Sequence, residues 1–461
     1  MGISRRRSGA PVGSPLMAAG ILIALGSVSL AIACGTDSPR ERFARSNPTP
    51  RPSRAAAAAS ADAAAMRDAA AGLDAATDAN KSSDASAAAA MLDVRAACGA
   101  PPVLEGEFSR ERLRTAAAEC AMWRYCGFRT AAGALDEAVT AYASDRNQST
   151  LQIARSAWRD AMDQWSESEL FQFGPAASVA QSAGKDMYQG KGLRDRIYSW
   201  PTTAQCRIEE QILAQPRSLD GVLISGRGLY ALEYSLFHSG GDSACAASTE
   251  TGKAWAALAG GERDARTASY AKTIAADVRA QSEALVDAWS PAGGNFKQTF
   301  VSATGYPDEQ TALTVMGWAL IYVEKEVKDW KLGIPAGYTL TSPVSGPETP
   351  FAKVATQNIQ ANLRGFRALF QGCGEHGDGL GFDDWLREAG HGELADQLLE
   401  ALNGAEKAID QLGPLHEASK EKLESTYQAL RKLTDLLKSD LFGAGSPLNL
   451  KLPASVEGDT D

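Results

Sequence analysis

Between residues 150 and 441 the apolar side chains return every three or four positions and almost nowhere every second one. Leu151, Ala154, Trp158, Met162 and Trp165 make one stripe, and Tyr270, Ile274, Val278, Leu285 and Trp289 make a longer one. A period near 3.6 puts such residues on one face of an α-helix, so both segments are predicted to dock on a core. Ser290, Pro291, Gly293 and Gly294 stop the second helix. Pro307, Asp308 and Glu309 start another, predicted to run to about Leu332 before Gly333 and Pro335. Further helices are expected over about Phe351 to Gln371, Gly392 to Leu412 and Glu417 to Leu441. No segment alternates convincingly as a strand. The predicted fold class is therefore all-α, with two packed helical-bundle halves within residues 96–461 that meet near residues 290–305.

Ahead of this domain the pattern changes twice. Arg5, Arg6 and Arg7 precede an apolar run from Leu16 to Ala33 that only small residues such as Gly20, Gly26 and Ser27 interrupt. A charged start, an apolar middle and a small-residue end are the layout of an export signal over residues 1–33. Its closing run, Leu30 to Gly35, resembles a bacterial lipobox, although Ala31 stands where leucine is favoured and Leu30 lies one place earlier. That resemblance implies cleavage before Cys34 and a lipid on its thiol, hence a lipoprotein on a bacterial membrane, periplasmic or at the cell surface. Plain secretion and an uncleaved anchor are the alternatives. Residues 34–95 are rich in Ala, Ser, Asp, Pro and Arg, with too little apolar surface to offset the entropy of ordering, and are expected to be a tether. No later apolar run reaches the roughly 20 residues that cross a bilayer.

The net charge of −10 becomes about −13 once a leader carrying three arginines is removed. Such a surface disfavours nucleic acid and tolerates cations. Export also places the cysteines where disulfides persist. With Cys34 set aside for lipid, Cys98, Cys120, Cys126, Cys206, Cys245 and Cys373 allow up to three bridges, whose pairing stays open. Cys120 and Cys126 lie six apart on one predicted helix, facing different sides, and are not expected to pair with each other.

Standard catalytic templates find little. His238, His376, His391 and His416 belong to no His-Glu-x-x-His motif, and there is no Gly-x-Ser-x-Gly elbow or phosphate-cradling loop. Glu375, His376 and Asp378 sit among glycines and read as an exposed turn rather than a metal loop. Trp158, Trp165 and Trp200 read as core anchors. The concentrated signal is Gly226 to Phe237, where Tyr230 and Glu233 share a helical face and Gly228 leaves room for close packing or a ligand.

Gly228 to Glu233 resembles the Gly-x-His-x-x-Glu motif of the imelysin family of bacterial extracytoplasmic proteins, with Tyr230 in place of histidine. Other segments are similar in the same order: Ala154, Arg155, Ala157 and Trp158; Glu169, Phe171, Phe173 and Gly174, with Gln172 where arginine is usual; Trp200 and Pro201; Glu348 to Ala352; Asn362, Leu363, Gly365, Leu369 and Phe370; and Leu452, Pro453 with Gly458 to Asp461. The resemblance implies an all-helical fold of two bundle-like halves with the motif near their junction. It also implies either peptidase activity or a binding role tied to iron uptake, through a metal at the motif.

Zinc-dependent hydrolysis needs about three protein ligands and an open position. Without the imidazole only Glu233 survives from the motif, so peptidase activity is the runner-up and the leading expectation is a lipid-anchored binding protein for a metal or for iron-uptake components. One expected chemistry is Fe(III) held by Tyr230 as phenolate with Glu233, as tyrosinate holds iron elsewhere. The other is an interior Tyr230 hydrogen-bonded to Glu233 or a neighbour, on a retained scaffold whose site is lost; a scaffold that binds a partner protein is the third functional reading. His238, eight positions beyond Tyr230, is expected at a solvated helix end rather than as a ligand.

Overall fold

Two of the long helices combine an apolar face with a start signal at their N-termini. In the computed structural model, which describes residues 96–178, 190–339, 346–374, 376–453 and 456, α1 (Arg110–Ser144) is capped by Ser109, whose hydroxyl accepts from the Arg112 backbone N–H. α2 (Gln148–Ser168) is capped by Asn147 in a reciprocal box with Thr150. These caps satisfy N–H groups that have no partner within the first helical turn. The signal over residues 1–33, Cys34, the tether over residues 34–95, Glu375 and Gly458 to Asp461 lie outside the described residues.

α1 and α2 pack with α5 (Gly228–Phe237) and α6 (Gly260–Trp289) in one bundle, with the short α3 (Leu193–Ile197) and α4 (Gln205–Ala214) against α5 and α6. A second set holds a π-helical segment (Val323–Gly333), α8 (Ala355–Phe370), α9 (Gly392–Leu412) and α10 (Lys420–Leu436). α8 also packs along α2 and joins the two sets. The fold is all-α, with no β-strand among the described residues and no described helix long and apolar enough to cross a membrane. The core is continuous: Trp158, Trp165 and Trp200 are buried in it, as expected of anchors, and the Trp158 indole donates to Leu229 O at 2.9 Å. Burial of each such side chain contributes about 1.5–3 kcal/mol.

α8 approaches α2 closely because Gly365 faces it. A Cβ at Gly365 would stand 2.5 Å from Glu167 O, a clash that no real side chain makes. The close approach lets Asn362, one turn earlier, donate to Ser166 O at 2.7 Å. Gly228 plays the same part at the start of α5. Its φ is +74°, and a Cβ there would lie 2.6 Å from Ile197 O and 2.8 Å from Arg196 O. The space above Gly228 is thus filled by the end of α3.

Three disulfides form: Cys98–Cys126, Cys120–Cys373 and Cys206–Cys245. Cys120 and Cys126 lie on α1 and take different partners. Cys373 sits in the turn after α8, where Gly372, at φ +116°, ends the helix. His376 and Asp378 in that turn are exposed.

Three helix predictions need correction. The helix begun at Glu309 does not run to Leu332: α7 (Glu309–Trp318), capped by Asp308, gives way to i→i−3 bonds from Ala319 to Glu324 and then to the π-helical segment. α8 starts at Ala355 rather than near Phe351, because the Phe351 and Ala352 N–H groups donate to the Glu233 side chain and Lys353 adopts φ +59°. The last helix starts at Lys420 and finishes in a π turn, Leu437–Leu441.

Candidate functional site

Glu169 stands directly after α2, fully buried. Its Oε1 accepts from Arg194 Nη2 at 3.0 Å, and its Oε2 from Lys331 Nζ at 3.3 Å and Asn362 Nδ2 at 3.4 Å. Four elements therefore meet at one carboxylate: the end of α2, α3, the π-helical segment and α8. Burial alone would raise its pKa, but Lys331 and Arg194 outweigh burial and hold it below the usual carboxylate range. Lys331 also reaches Glu348 Oε1 at 2.7 Å and Asn362 Oδ1 at 2.8 Å, and the Tyr198 hydroxyl donates to that same Glu348 oxygen at 3.1 Å. Burial pushes Glu348 up, with Lys331 pulling the other way. Trp200, followed by a cis Pro201, lies beside this group with its ring 5.7 Å from Lys331 Nζ.

Glu233 approaches the same neighbourhood from α5. Its Oε1 accepts the backbone N–H groups of Ala352 at 2.8 Å and Phe351 at 3.0 Å, a few residues beyond Glu348. Its Oε2 is buried and has no hydrogen-bond partner among the described residues. Burial pushes the carboxyl up to about 8 against the pull of the two N–H groups, so Glu233 is largely protonated at neutral pH. Tyr230, one turn earlier and nearly buried, accepts from Gln205 Nε2 at 3.5 Å, and burial raises its pKa too. No hydrogen bond joins Tyr230 to Glu233 among the described residues. The pair shares a helix face, yet the tyrosine is tied to α4 and the glutamate to the segment before α8.

The segments quoted for their resemblance thus converge through Glu169, Trp200, Glu233, Glu348 and Asn362. Arg194, Tyr198 and Lys331, which the sequence reading did not single out, complete the group. A signal was present for Lys331: Glu324, Lys328 and Lys331 share one face of a helix and Glu326 and Asp329 lie on the opposite one, so docking either face must bury charge. All five are buried. His238 caps the end of α5, half-buried and stacked on Tyr234 with ring centroids 4.6 Å apart.

The residues at the motif do not fit a resident catalytic metal. No imidazole is present there, burial drives Tyr230 and Glu233 toward their neutral forms, and the two are held toward different elements. Among the described residues no three His, Cys, Asp or Glu side chains are grouped to hold a metal ion.

Glu326 offers a check on this buried charge. Burial, with Glu169 adding and Arg194 opposing, pushes its carboxyl up to about 8. The folded state therefore binds this proton more tightly than the unfolded chain, whose carboxyl titrates near 4.5. Its contribution to stability is full below about 4.5 and is lost as pH rises through about 8. Glu326→Gln is expected to raise the melting temperature at pH 9 and leave it nearly unchanged at pH 5, as read by circular dichroism. An equal shift at both pH values would mean that Glu326 does not titrate in this window.

A family model described as Imelysin matches residues 121–437. Iron-regulated protein A of Synechococcus elongatus is 24% identical over 287 residues, covering 60% of this chain and 69% of its own. The crystal structure of an imelysin-like protein from Psychrobacter arcticum has a TM-score of 0.57 at 18% identity, covering 76% of this chain and 99% of that one. A second structure, of an iron-regulated protein A precursor from Parabacteroides distasonis, has a TM-score of 0.53 at 17% identity, covering 73% and 96%. At these identities the two structures show a shared fold.

Proposed function

Because the chain belongs to the imelysin family, we propose that it is an exported, lipid-tethered binding protein that serves iron acquisition and does not hydrolyse peptides. One observation carries this reading: Glu233 is locked in place by two backbone N–H groups while its second oxygen stays buried and unpartnered among the described residues. A positioned buried polar group of this kind fits a ligand contact better than a packing role. The iron link rests on two relatives whose names describe them as iron-regulated. Three disulfides support export, since such bridges persist in oxidising compartments. The lipid anchor rests on the lipobox-like run ending at Cys34.

The motif supplies too few oxygens to complete the shell of a hard cation, so the cargo is a ferric complex that carries most of its own ligands. Glu233 contributes a hydrogen bond or one ligand oxygen. Ferric citrate is the probe: tryptophan quenching is expected to saturate at one equivalent per chain, and Glu233→Leu to weaken binding about tenfold, the worth of one hydrogen bond. Absence of saturable binding would favour the partner-binding scaffold, and hydrolysis of unfolded protein with added zinc would favour the peptidase. The position of Tyr230, where the family carries histidine, favours one second reading, direct ferric ligation. Its signature is a visible charge-transfer band that Tyr230→Phe abolishes.

A further inference from the structure

Lys331 is fully buried at the end of the π-helical segment. Its ammonium has three N–H donors and meets three oxygens, Glu348 Oε1 at 2.7 Å, Asn362 Oδ1 at 2.8 Å and Glu169 Oε2 at 3.3 Å, each from a different element. Above it stand the faces of Trp200 and Tyr322, each ring centroid 5.7 Å away. Carboxylates and an amide oxygen converging on one cation are the donor set that proteins use for hard divalent ions, whose oxygen shell closes at about 2.3–2.6 Å for calcium. Here the cation is covalently part of the chain.

We infer that Lys331 is a built-in cation that fills a latent divalent-metal site at the bundle junction, so that the junction holds its acids together without metal. Its three acceptors use up its donors, and Arg194 engages the other oxygen of Glu169, while Glu348 Oε2 is buried without a hydrogen-bond partner among the described residues. A bare divalent ion that enters must displace an ammonium tethered at the site, whose effective concentration exceeds that of any free ion. Removing the side chain beyond Cβ opens the volume of its stem. Water molecules in that volume complete the six to eight oxygens that such an ion requires. This inference is independent of the ligand proposed for Glu233.

The test uses full-length protein in detergent and Mn²⁺ alone, read by electron paramagnetic resonance and by thermal melting. Lys331→Ala is expected to be less stable than wild type in chelator and to bind one Mn²⁺ at least about 100-fold tighter than wild type, with its melting temperature rising on Mn²⁺ addition. Calcium is expected to compete. Lys331→Met keeps the stem volume without the charge, and should be destabilised with no gain in Mn²⁺ affinity. Adding Glu348→Gln to Lys331→Ala should abolish the gained site. The inference is overturned if wild type binds Mn²⁺ as tightly as Lys331→Ala, or if Lys331→Ala neither binds Mn²⁺ nor is stabilised by it. Ferric citrate binding by wild type tests the functional reading separately, so either can fail alone.

Discussion

Leucine in place of Glu169 is expected to lower the unfolding free energy by about 3–5 kcal/mol, a large part of the stability of any domain. The substitution keeps apolar volume but leaves the Arg194 guanidinium and the Lys331 ammonium without the carboxylate that both address at 3.0 and 3.3 Å. Both cations are nearly inaccessible, so water cannot take over. Lys331 keeps Glu348 at 2.7 Å and Arg194 keeps Asp195 at 3.8 Å, so the cost is that of a buried network left one negative charge short rather than of one lost contact. Glu169→Gln should cost less, because its amide oxygen still accepts from one of the two. Urea denaturation with an unchanged slope measures both variants. A loss below about 1 kcal/mol for Glu169→Leu would show that the junction does not depend on this charge network.

The second large effect is covalent. Serine at both Cys120 and Cys373 removes a bridge between residues 253 apart, and the chain-entropy account of cross-links gives about 5 kcal/mol for a loop of that length. The Cys206–Cys245 and Cys98–Cys126 bridges close loops of 39 and 28 residues and should cost about 1–2 kcal/mol less when removed in the same way. Cys120–Cys373 also ties α1 to the turn that ends α8, the helix joining the two sets of helices. Denaturation of the three double-serine variants reads the order directly. If the Cys120–Cys373 variant is the least affected, loop closure is not what that bridge contributes.

What could be read from the chain and what could not differ in range. α9 runs from Gly392 to Leu412 as predicted, because Ala395, Leu398, Leu402, Ala405 and Ile409 form a local stripe and Gly413 stops it. α8 starts four residues beyond its expected place because the groups that decide its start, Glu233 and the Phe351 N–H, lie 118 residues apart. The π-helical segment has no propensity of its own to betray it, and its register shows only in three dimensions. The site divides the same way. Glu233 stood out on a helix with Gly228, whereas Lys331 is defined by Glu169 and Asn362, 162 and 31 residues away. Pairing of the six cysteines likewise needed the fold.

Cys98 has one more consequence. Its bridge to Cys126 fastens the described start of the chain to the middle of α1, and the Trp123 indole donates to Gly99 O at 3.0 Å beside it. A pull on the chain upstream of Cys98 is therefore delivered to α1 through a covalent strut. The intervening residues 99–125 carry no load, and α1 cannot be peeled from its first turn.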